Sequence, residues 1–155
     1  MNQYINKPTP AFVAASWVAL LAGAATYCIG LFNADLLLNE KGYYLILILY
    51  GLFSSVSLQK IIRDKLEGVH VTHIYYGLCW ASVAICIALL AIGLFNANLA
   101  LSEKGFYIMA FLLSLFGAVA VQKNIRDMEY LRQHNSNDHL ELKNNKSLSE
   151  NEPLD

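Results

Sequence analysis

Four long stretches of the chain carry no charged side chain, and polar or charged residues flank each of them. The first and third, residues 11–32 and 74–95, are 22 residues each, and the second and fourth, 42–59 and 105–122, are 18 each. A helix that crosses about 30 Å of hydrocarbon at about 1.5 Å per residue needs roughly 17 to 25 apolar residues. The pattern therefore predicts four membrane-spanning helices.

The composition supports this interpretation. Hydrophobic residues make up 56% of the 155 residues and charged residues 15%, whereas soluble domains are about 25% charged. The net charge of −1 and the lack of a basic patch argue against nucleic acid as a partner. The three cysteines all lie inside predicted spans, where such residues act as small hydrophobic side chains.

The chain repeats itself after 63 residues. When Trp17–Asp64 is aligned with Trp80–Asp127 without gaps, 23 of the 48 positions are identical. Each copy contains two spans, so the second copy enters the membrane in the same direction as the first, which excludes an inverted repeat. The predicted fold is all-α, an integral membrane four-helix protein built from two parallel repeated transmembrane hairpins.

This organisation predicts five segments. A cytoplasmic N-terminal segment and a cytoplasmic linker precede the first and second two-helix units, and a polar C-terminal tail follows. The polar tail, rich in Asn, Ser and Glu, is expected to extend the fourth helix briefly and then to be disordered. The boundaries are 1–10 for the N-terminal segment, 11–66 for the first unit, 67–73 for the linker, 74–130 for the second unit and 131–155 for the tail.

The basic residues predict the orientation. Nine of the eleven lysines and arginines fall on the side of the termini and the linker, and only Lys41 and Lys104 fall on the other side. Because cytoplasmic segments are enriched in lysine and arginine, both termini are predicted to be cytoplasmic and both hairpin turns to face outward. In a bacterium the outward side is the periplasm.

The most similar stretch of the two copies lies in these turns: "GLFNADLLLNEKGYY" at 30–44 and "GLFNANLALSEKGFY" at 93–107. One interpretation is structural: Asn39 and Ser102 are candidate N-caps, a glutamate favours the first helical turn, and the aromatic residues suit the membrane interface. The alternative is a binding site formed from two copies. The candidate residues are Asn33, Asp35, Glu40 and Lys41, with Asn96, Asn98, Glu103 and Lys104.

Small residues at four-residue spacing predict helix packing, because they let helix backbones approach closely in lipid. The second helix of each unit carries such a pair, Gly51 with Ser55 and Ser114 with Ala118. We expect these pairs to face a shared seam between the second helices. The alternative is that each pair seats the first helix of its own hairpin.

The spans contain no Asp, Glu, Lys, Arg or His, the groups that proton pumps and ion-coupled transporters need at depth. No catalytic, cofactor or metal site is predicted, and the protein is not expected to be an enzyme. The predicted function is a structural or accessory membrane subunit. The alternative is a small oligomeric channel or facilitator. The expected partners are the lipid bilayer and either further copies of the chain or another membrane protein.

The tandem "GLFNAxLxLxEKGxY" units, each followed by "QKxIRD", resemble the YiaA/YiaB family of bacterial inner-membrane proteins. The resemblance covers both units, roughly residues 9 to 130. It implies an inner-membrane location and brings no known substrate, cofactor or catalytic residue.

Overall fold

The computed structural model describes residues 8–150, with side chains described for 8–133 and for residue 136. It contains four helices, α1 (Pro10–Asn33), α2 (Leu38–Leu66), α3 (His73–Asn96) and α4 (Leu101–Glu150). Each of the four is long and apolar enough to cross a membrane, α4 over Leu101–Gln133. This confirms the predicted all-α fold of two repeated membrane hairpins.

The ends of the helices extend beyond the uncharged runs. α1 begins at Pro10, whose fixed φ suits a first helical position, and Thr9 Oγ1 accepts the Phe12 N–H at 3.3 Å. α2 and α4 start four residues before their uncharged runs, so that Glu40 and Glu103 lie in their first turns. The turns are therefore short, residues 34–37 and 97–100.

The C-terminal segment differs from the expected disorder. α4 continues without interruption to Glu150, whereas the sequence predicts only a brief extension of the fourth helix before disorder. The physical reason is local: Leu, Glu, Gln, Lys and Arg are frequent after residue 128 and favour a helix, and no glycine or proline interrupts the segment before Pro153. Residues 151–155 and 1–7 lie outside the described part of the chain.

The first helix of each hairpin packs mainly on the second helix of the other hairpin, and not on the second helix of its own. α1 packs along α4, and α3 packs along α2, while α2 and α4 meet in the centre of the bundle. Within a hairpin, α1 and α2 touch at few places, and contacts of α3 with α4 are sparser still among the described residues. Exchanging the two copies turns the α1–α4 contact into the α3–α2 contact, so the bundle has the pseudo-two-fold arrangement of a dimer of hairpins.

Small residues set the close contacts across the hairpins. A Cβ atom added to Gly23 of α1 would lie 2.7 Å from the backbone nitrogen of Ser114, and one added to Gly117 of α4 would lie 2.6 Å from the Cα of Leu20. Both distances are below the 3.5 to 4.0 Å of an optimal carbon contact. The backbones of α1 and α4 therefore meet directly at these two places.

The expected seam between the second helices is only partly present. A Cβ added to Gly51 would meet the Phe111 ring and Leu115 of α4, but also Cys86 Sγ of α3 at 3.2 Å. Ser114 instead lies against Gly23 of α1. Of the other two predicted residues, Ala118 is buried and Ser55 half-buried. Gly51 thus faces both α4 and α3, whereas Ser114 seats the first helix of the opposite hairpin, a partner that neither alternative named.

Aromatic rings fill the centre of the bundle near the turns. Tyr27 is fully buried, and its ring lies edge-on to Tyr107 at 5.6 Å and 6.0 Å from Phe111. Tyr44 stacks on Tyr107 at 6.3 Å, and the Tyr27 hydroxyl donates to the Tyr44 carbonyl oxygen at 3.1 Å. Tyr44 and Tyr107 therefore belong to the core. The sequence placed them in the interfacial belt, because it does not show which side of the helix start is covered.

The opposite end of the bundle, which holds the linker and which we call the linker end, is joined by ion pairs. Arg126 Nη2 lies 3.2 Å from Glu67 Oε2 and 3.7 Å from Asp64 Oδ1, and Arg63 Nε lies 3.2 Å from Glu67 Oε1. The repeated "QKxIRD" segments of the two copies thus meet where α2 and α4 leave the apolar layer.

One buried polar pair breaks the internal symmetry. Asn124 of α4 is buried, and its Nδ2 donates to Ser16 Oγ of α1 at 3.0 Å. The equivalent positions in the other copy hold apolar or weakly polar side chains, Ile61 and Cys79, both buried. The α1–α4 contact therefore carries a hydrogen bond between helices that has no counterpart of the same kind in the α3–α2 contact.

Candidate functional site

The first turn is held by hydrogen bonds from the residues that its sequence motif contains. Asn33 Nδ2 donates to the Ile29 carbonyl oxygen at 2.9 Å at the end of α1. Glu40 Oε2 accepts the Leu37 N–H at 2.8 Å at the start of α2. Lys41 Nζ crosses the turn to the Phe32 carbonyl oxygen at 2.9 Å. Together these bonds satisfy backbone groups that helix ends leave without partners.

The second turn repeats these bonds at the equivalent positions. Asn96 Nδ2 donates to the Ile92 carbonyl oxygen at 2.8 Å, and Glu103 Oε2 accepts the Ala100 N–H at 2.7 Å. Lys104 Nζ donates to the Phe95 carbonyl oxygen at 3.3 Å. Six of the eight predicted motif residues thus have a structural role that is the same in both copies. The other two, Asp35 and Asn98, are exposed.

The capping residue is not the predicted one. α2 begins at Leu38 with Leu37 as its N-cap, so Asn39 lies inside the first turn, and Ser102 occupies the same position in α4. The glutamate three residues after the cap position accepts the backbone N–H there, which is the reciprocal half of a capping box. In the sequence, the residue that marks the start of each second helix is therefore the glutamate of "EKG".

The same segments line two equivalent pockets, one on each side of the bundle. One, of about 320 Å³, lies between the end of α1 and the start of α4, and the other, of about 380 Å³, lies between the end of α3 and the start of α2. Each contains a glycine and an asparagine of a first helix with a glutamate and a tyrosine of the opposite second helix. The lining residues are Gly30, Asn33, Ala34, Ser102, Glu103, Phe106 and Tyr107 in one, and Asn39, Glu40, Tyr43, Tyr44, Ile92, Gly93, Asn96 and Ala97 in the other.

The glycines make room for the aromatic walls. A Cβ on Gly30 would lie 2.7 Å from Phe106 Cε1, and one on Gly93 would lie 2.8 Å from Tyr43 Cε1. Tyr43 is fixed further by its hydroxyl, which donates to the Leu89 carbonyl oxygen at 2.7 Å. Both copies of the repeat have glycine at this position because an aromatic ring of the opposite hairpin packs against it. The motif alone did not predict this packing.

The two ends of each turn motif therefore line different pockets in the structure. Asn33 and Glu40, neighbours along the chain, line different pockets, whereas Asn33 and Glu103 share one and Asn96 and Glu40 share the other. Both copies therefore contribute residues to each pocket. Among the described side chains, no group of three or more His, Cys, Asp or Glu is placed to hold a metal ion.

The architecture defines a multi-pass membrane protein made of two exchanged, duplicated hairpins, with its turn segments lining paired pockets at one end. The family model described as "yiaA/B two helix domain" matches twice, at residues 12–64 and 75–127, and the chain belongs to this family.

Three named relatives extend this finding. The chain is 58% identical over 127 residues to the inner membrane protein YiaA of Escherichia coli K12, covering 82% of this chain and 88% of that protein. It is 32% identical over 97 residues to the inner membrane protein YiaB of the same organism, covering 63% of this chain and 82% of that protein. These relatives and the four apolar helices identify a multi-pass inner membrane protein.

The third relative is shorter. The uncharacterised membrane protein YubF of Bacillus subtilis is 38% identical over 68 residues, which is 43% of this chain and 78% of YubF. The match is about as long as one 63-residue repeat of this chain. No solved structure matches the chain.

Proposed function

We propose that the protein is a non-catalytic structural or accessory subunit of the inner membrane, with both termini in the cytoplasm. The observation that carries the proposal is the filled interior. The rings of Tyr27, Tyr44, Tyr107 and Phe111 occupy the space between the helices, and all four are at most 4% exposed. An interior packed in this way suits a rigid helical element that other membrane components pack against.

The buried hydroxyl groups support the same proposal. Ser54 Oγ donates to the Tyr50 carbonyl oxygen at 2.6 Å, and Ser114 Oγ donates to the Ala110 carbonyl oxygen at 2.7 Å. Both hydroxyls are therefore engaged with their own helices, as helical serines commonly are. They serve to complete the packing of the bundle.

The rival proposal is an oligomeric channel with a serine-lined pore between protomers. Ser54 and Ser114 are 1% and 0% exposed, and Ser114 lies against Gly23 of another helix of the same chain. A pore between protomers would need these side chains on the outer surface of the bundle. The position of the two serines therefore favours the accessory subunit.

The proposed orientation rests on the distribution of basic residues. Lys60, Arg63 and Lys65 lie in the last turns of α2, and Lys123 and Arg126 lie at the same level of α4. The turn end carries only Lys41 and Lys104. The excess at the linker end agrees with the enrichment of lysine and arginine in cytoplasmic segments.

Two measurements on the full chain test the function. The purified protein is reconstituted in liposomes, and fluxes of ions and small solutes are compared with protein-free liposomes. In parallel, a tagged chain is extracted with its native lipids from cells that express it at its natural level. We expect no flux above the control and one membrane partner in constant ratio to the chain, which an unrelated tagged membrane protein does not recover. Flux that depends on the protein would contradict the accessory role and favour the channel.

A further inference from the structure

Two cavities lie one above the other along the α1–α4 contact, a polar one at the turn end and an apolar one deeper, and we call them together the α1–α4 groove. The pocket of about 320 Å³ at the turn end shares Phe106 with a second cavity of about 260 Å³, which lies deeper between the same two helices. The deeper cavity is lined by Gly23, Thr26, Phe106, Met109, Ala110 and Leu113. The Thr26 hydroxyl is bonded to the Ala22 carbonyl oxygen of its own helix, so the walls of this cavity present apolar groups.

The depth of the groove matches one leaflet of a bilayer. Thr26 and Gly23 lie seven and ten residues before Asn33 on α1, which corresponds to about 10 and 15 Å along the helix axis. Half of the hydrocarbon core is also about 15 Å. A chain that enters beside Asn33 would therefore reach the middle of the membrane at Gly23.

The deeper cavity depends on small residues that the other copy lacks. Gly23 corresponds to Cys86 in the repeat, Thr26 corresponds to Leu89, and Ala110 corresponds to Leu47. All three differences remove side-chain volume from the α1–α4 side of the bundle. The duplicated halves have thus diverged where the groove runs.

The outer end of the groove offers groups that complement a zwitterion. Glu103 Oε2 accepts the Ala100 N–H, which leaves Oε1 for a ligand, and Asn33 donates through Nδ2, which leaves Oδ1 as an acceptor. These two oxygens suit an ammonium group. Lys41 Nζ is held at the Phe32 carbonyl oxygen, one residue from Asn33, where its positive charge suits a neighbouring phosphate.

We propose that the α1–α4 groove binds one phospholipid molecule with an ammonium headgroup, such as phosphatidylethanolamine. The ammonium group lies at Asn33 and Glu103, and one acyl chain lies in the deeper cavity between Thr26 and Ala110. The carboxylate selects this headgroup over an anionic one, and the small side chains admit the acyl chain. This lipid site does not depend on the proposed accessory role of the protein.

Native mass spectrometry of the full chain tests the site. The protein is released from detergent micelles that contain equal amounts of phosphatidylethanolamine and phosphatidylglycerol with the same acyl chains. We expect one retained phosphatidylethanolamine per chain and a preference of about tenfold over phosphatidylglycerol, as the charged contact with the carboxylate predicts.

Variants copied from the other repeat separate the two ends of the groove. Thr26→Leu and Ala110→Leu introduce the side chains of Leu89 and Leu47, and each is expected to lower occupancy by either lipid about tenfold by filling the cavity. If one of these two variants does not fold, the other alone tests the cavity. Val18→Leu, at a position that is 65% exposed on α1, is the matched control and is expected to retain the lipid.

Glu103→Gln tests the headgroup, because glutamine keeps an oxygen for the Ala100 N–H but removes the charge. We expect it to abolish the preference for phosphatidylethanolamine, whereas Glu40→Gln, the same change in the opposite pocket, is expected to leave it intact. Equal binding of the two lipids by the unaltered protein would overturn the proposal, and so would full occupancy in both cavity-filling variants. Displacement of the lipid by soluble phosphoethanolamine would also overturn it, because it would identify a soluble amine as the ligand.

Discussion

Adding a single methyl group at Gly117 should separate α1 from α4. The added Cβ would lie 2.6 Å from the Leu20 Cα and 2.9 Å from the Leu20 Cβ, and it would contact the Leu20 backbone nitrogen even more closely. Backbone atoms cannot rotate away as a side chain does. To restore a carbon contact of about 3.5 Å, the two helices must therefore move apart by about 1 Å at this level.

The cost follows from what the movement disrupts. A gap of about 0.5 to 1 Å forfeits a quarter to a half of each dispersion contact across it, and overpacking of a tight site costs about 1 to 3 kcal/mol. The contact of Gly23 with Ser114 lies in the same helix pair and would loosen with it. We therefore expect Gly117→Ala to destabilise the protein by about 2 kcal/mol, which for a chain of this size lowers Tm by about 4 to 8 °C.

Thermal unfolding in detergent micelles, followed by the fluorescence of Trp17 and Trp80, measures this change. The matched control is Gly105→Ala, the same substitution on the same helix, where an added Cβ would meet nothing within 4 Å. Because alanine favours a helix over glycine, the control is expected to keep or slightly raise Tm. A Gly117→Ala protein as stable as the Gly105→Ala protein would refute the close approach of the two backbones.

Two further predictions test the orientation and the exchange of the hairpins. Alkaline phosphatase fused after Asp155 is expected to be inactive and fused near Glu40 or Glu103 to be active, because nine of the eleven lysines and arginines belong to the termini, the linker and the helix ends next to them; activity after Asp155 would reverse the orientation. When the chain is divided at Gly68 and both halves are co-expressed, a tag on one hairpin is expected to recover the other in mild detergent, since α1–α4 and α2–α3 hold most of the helix contacts. Two hairpins that purify separately would show that the exchanged packing is weak.

The sequence was most informative where an element depends on local chemistry. Four uncharged runs of membrane length predicted four helices, and the 63-residue repeat predicted two parallel hairpins. For the turn motif the sequence offered a structural interpretation beside a binding site, because asparagine and glutamate next to helix ends are suited to unpaired backbone groups. The N-cap was misplaced by two residues, since Asn39 matched the preferred residue type while the Glu40 side chain does the capping.

The pairing of the helices was decided by tertiary structure. In water an apolar stripe marks the face of a helix that packs, but in lipid the outer face is as apolar as the inner one, so the repeat does not show which helices meet. The contacts of Gly23 with Ser114 and of Gly117 with Leu20 depend on shape across two hairpins. The sequence by itself therefore determined the number and the parallel duplication of the spans. Only the folded chain placed Asn33 beside Glu103 and buried Tyr44 and Tyr107 in the core, because both follow from backbone approach between residues far apart in the sequence.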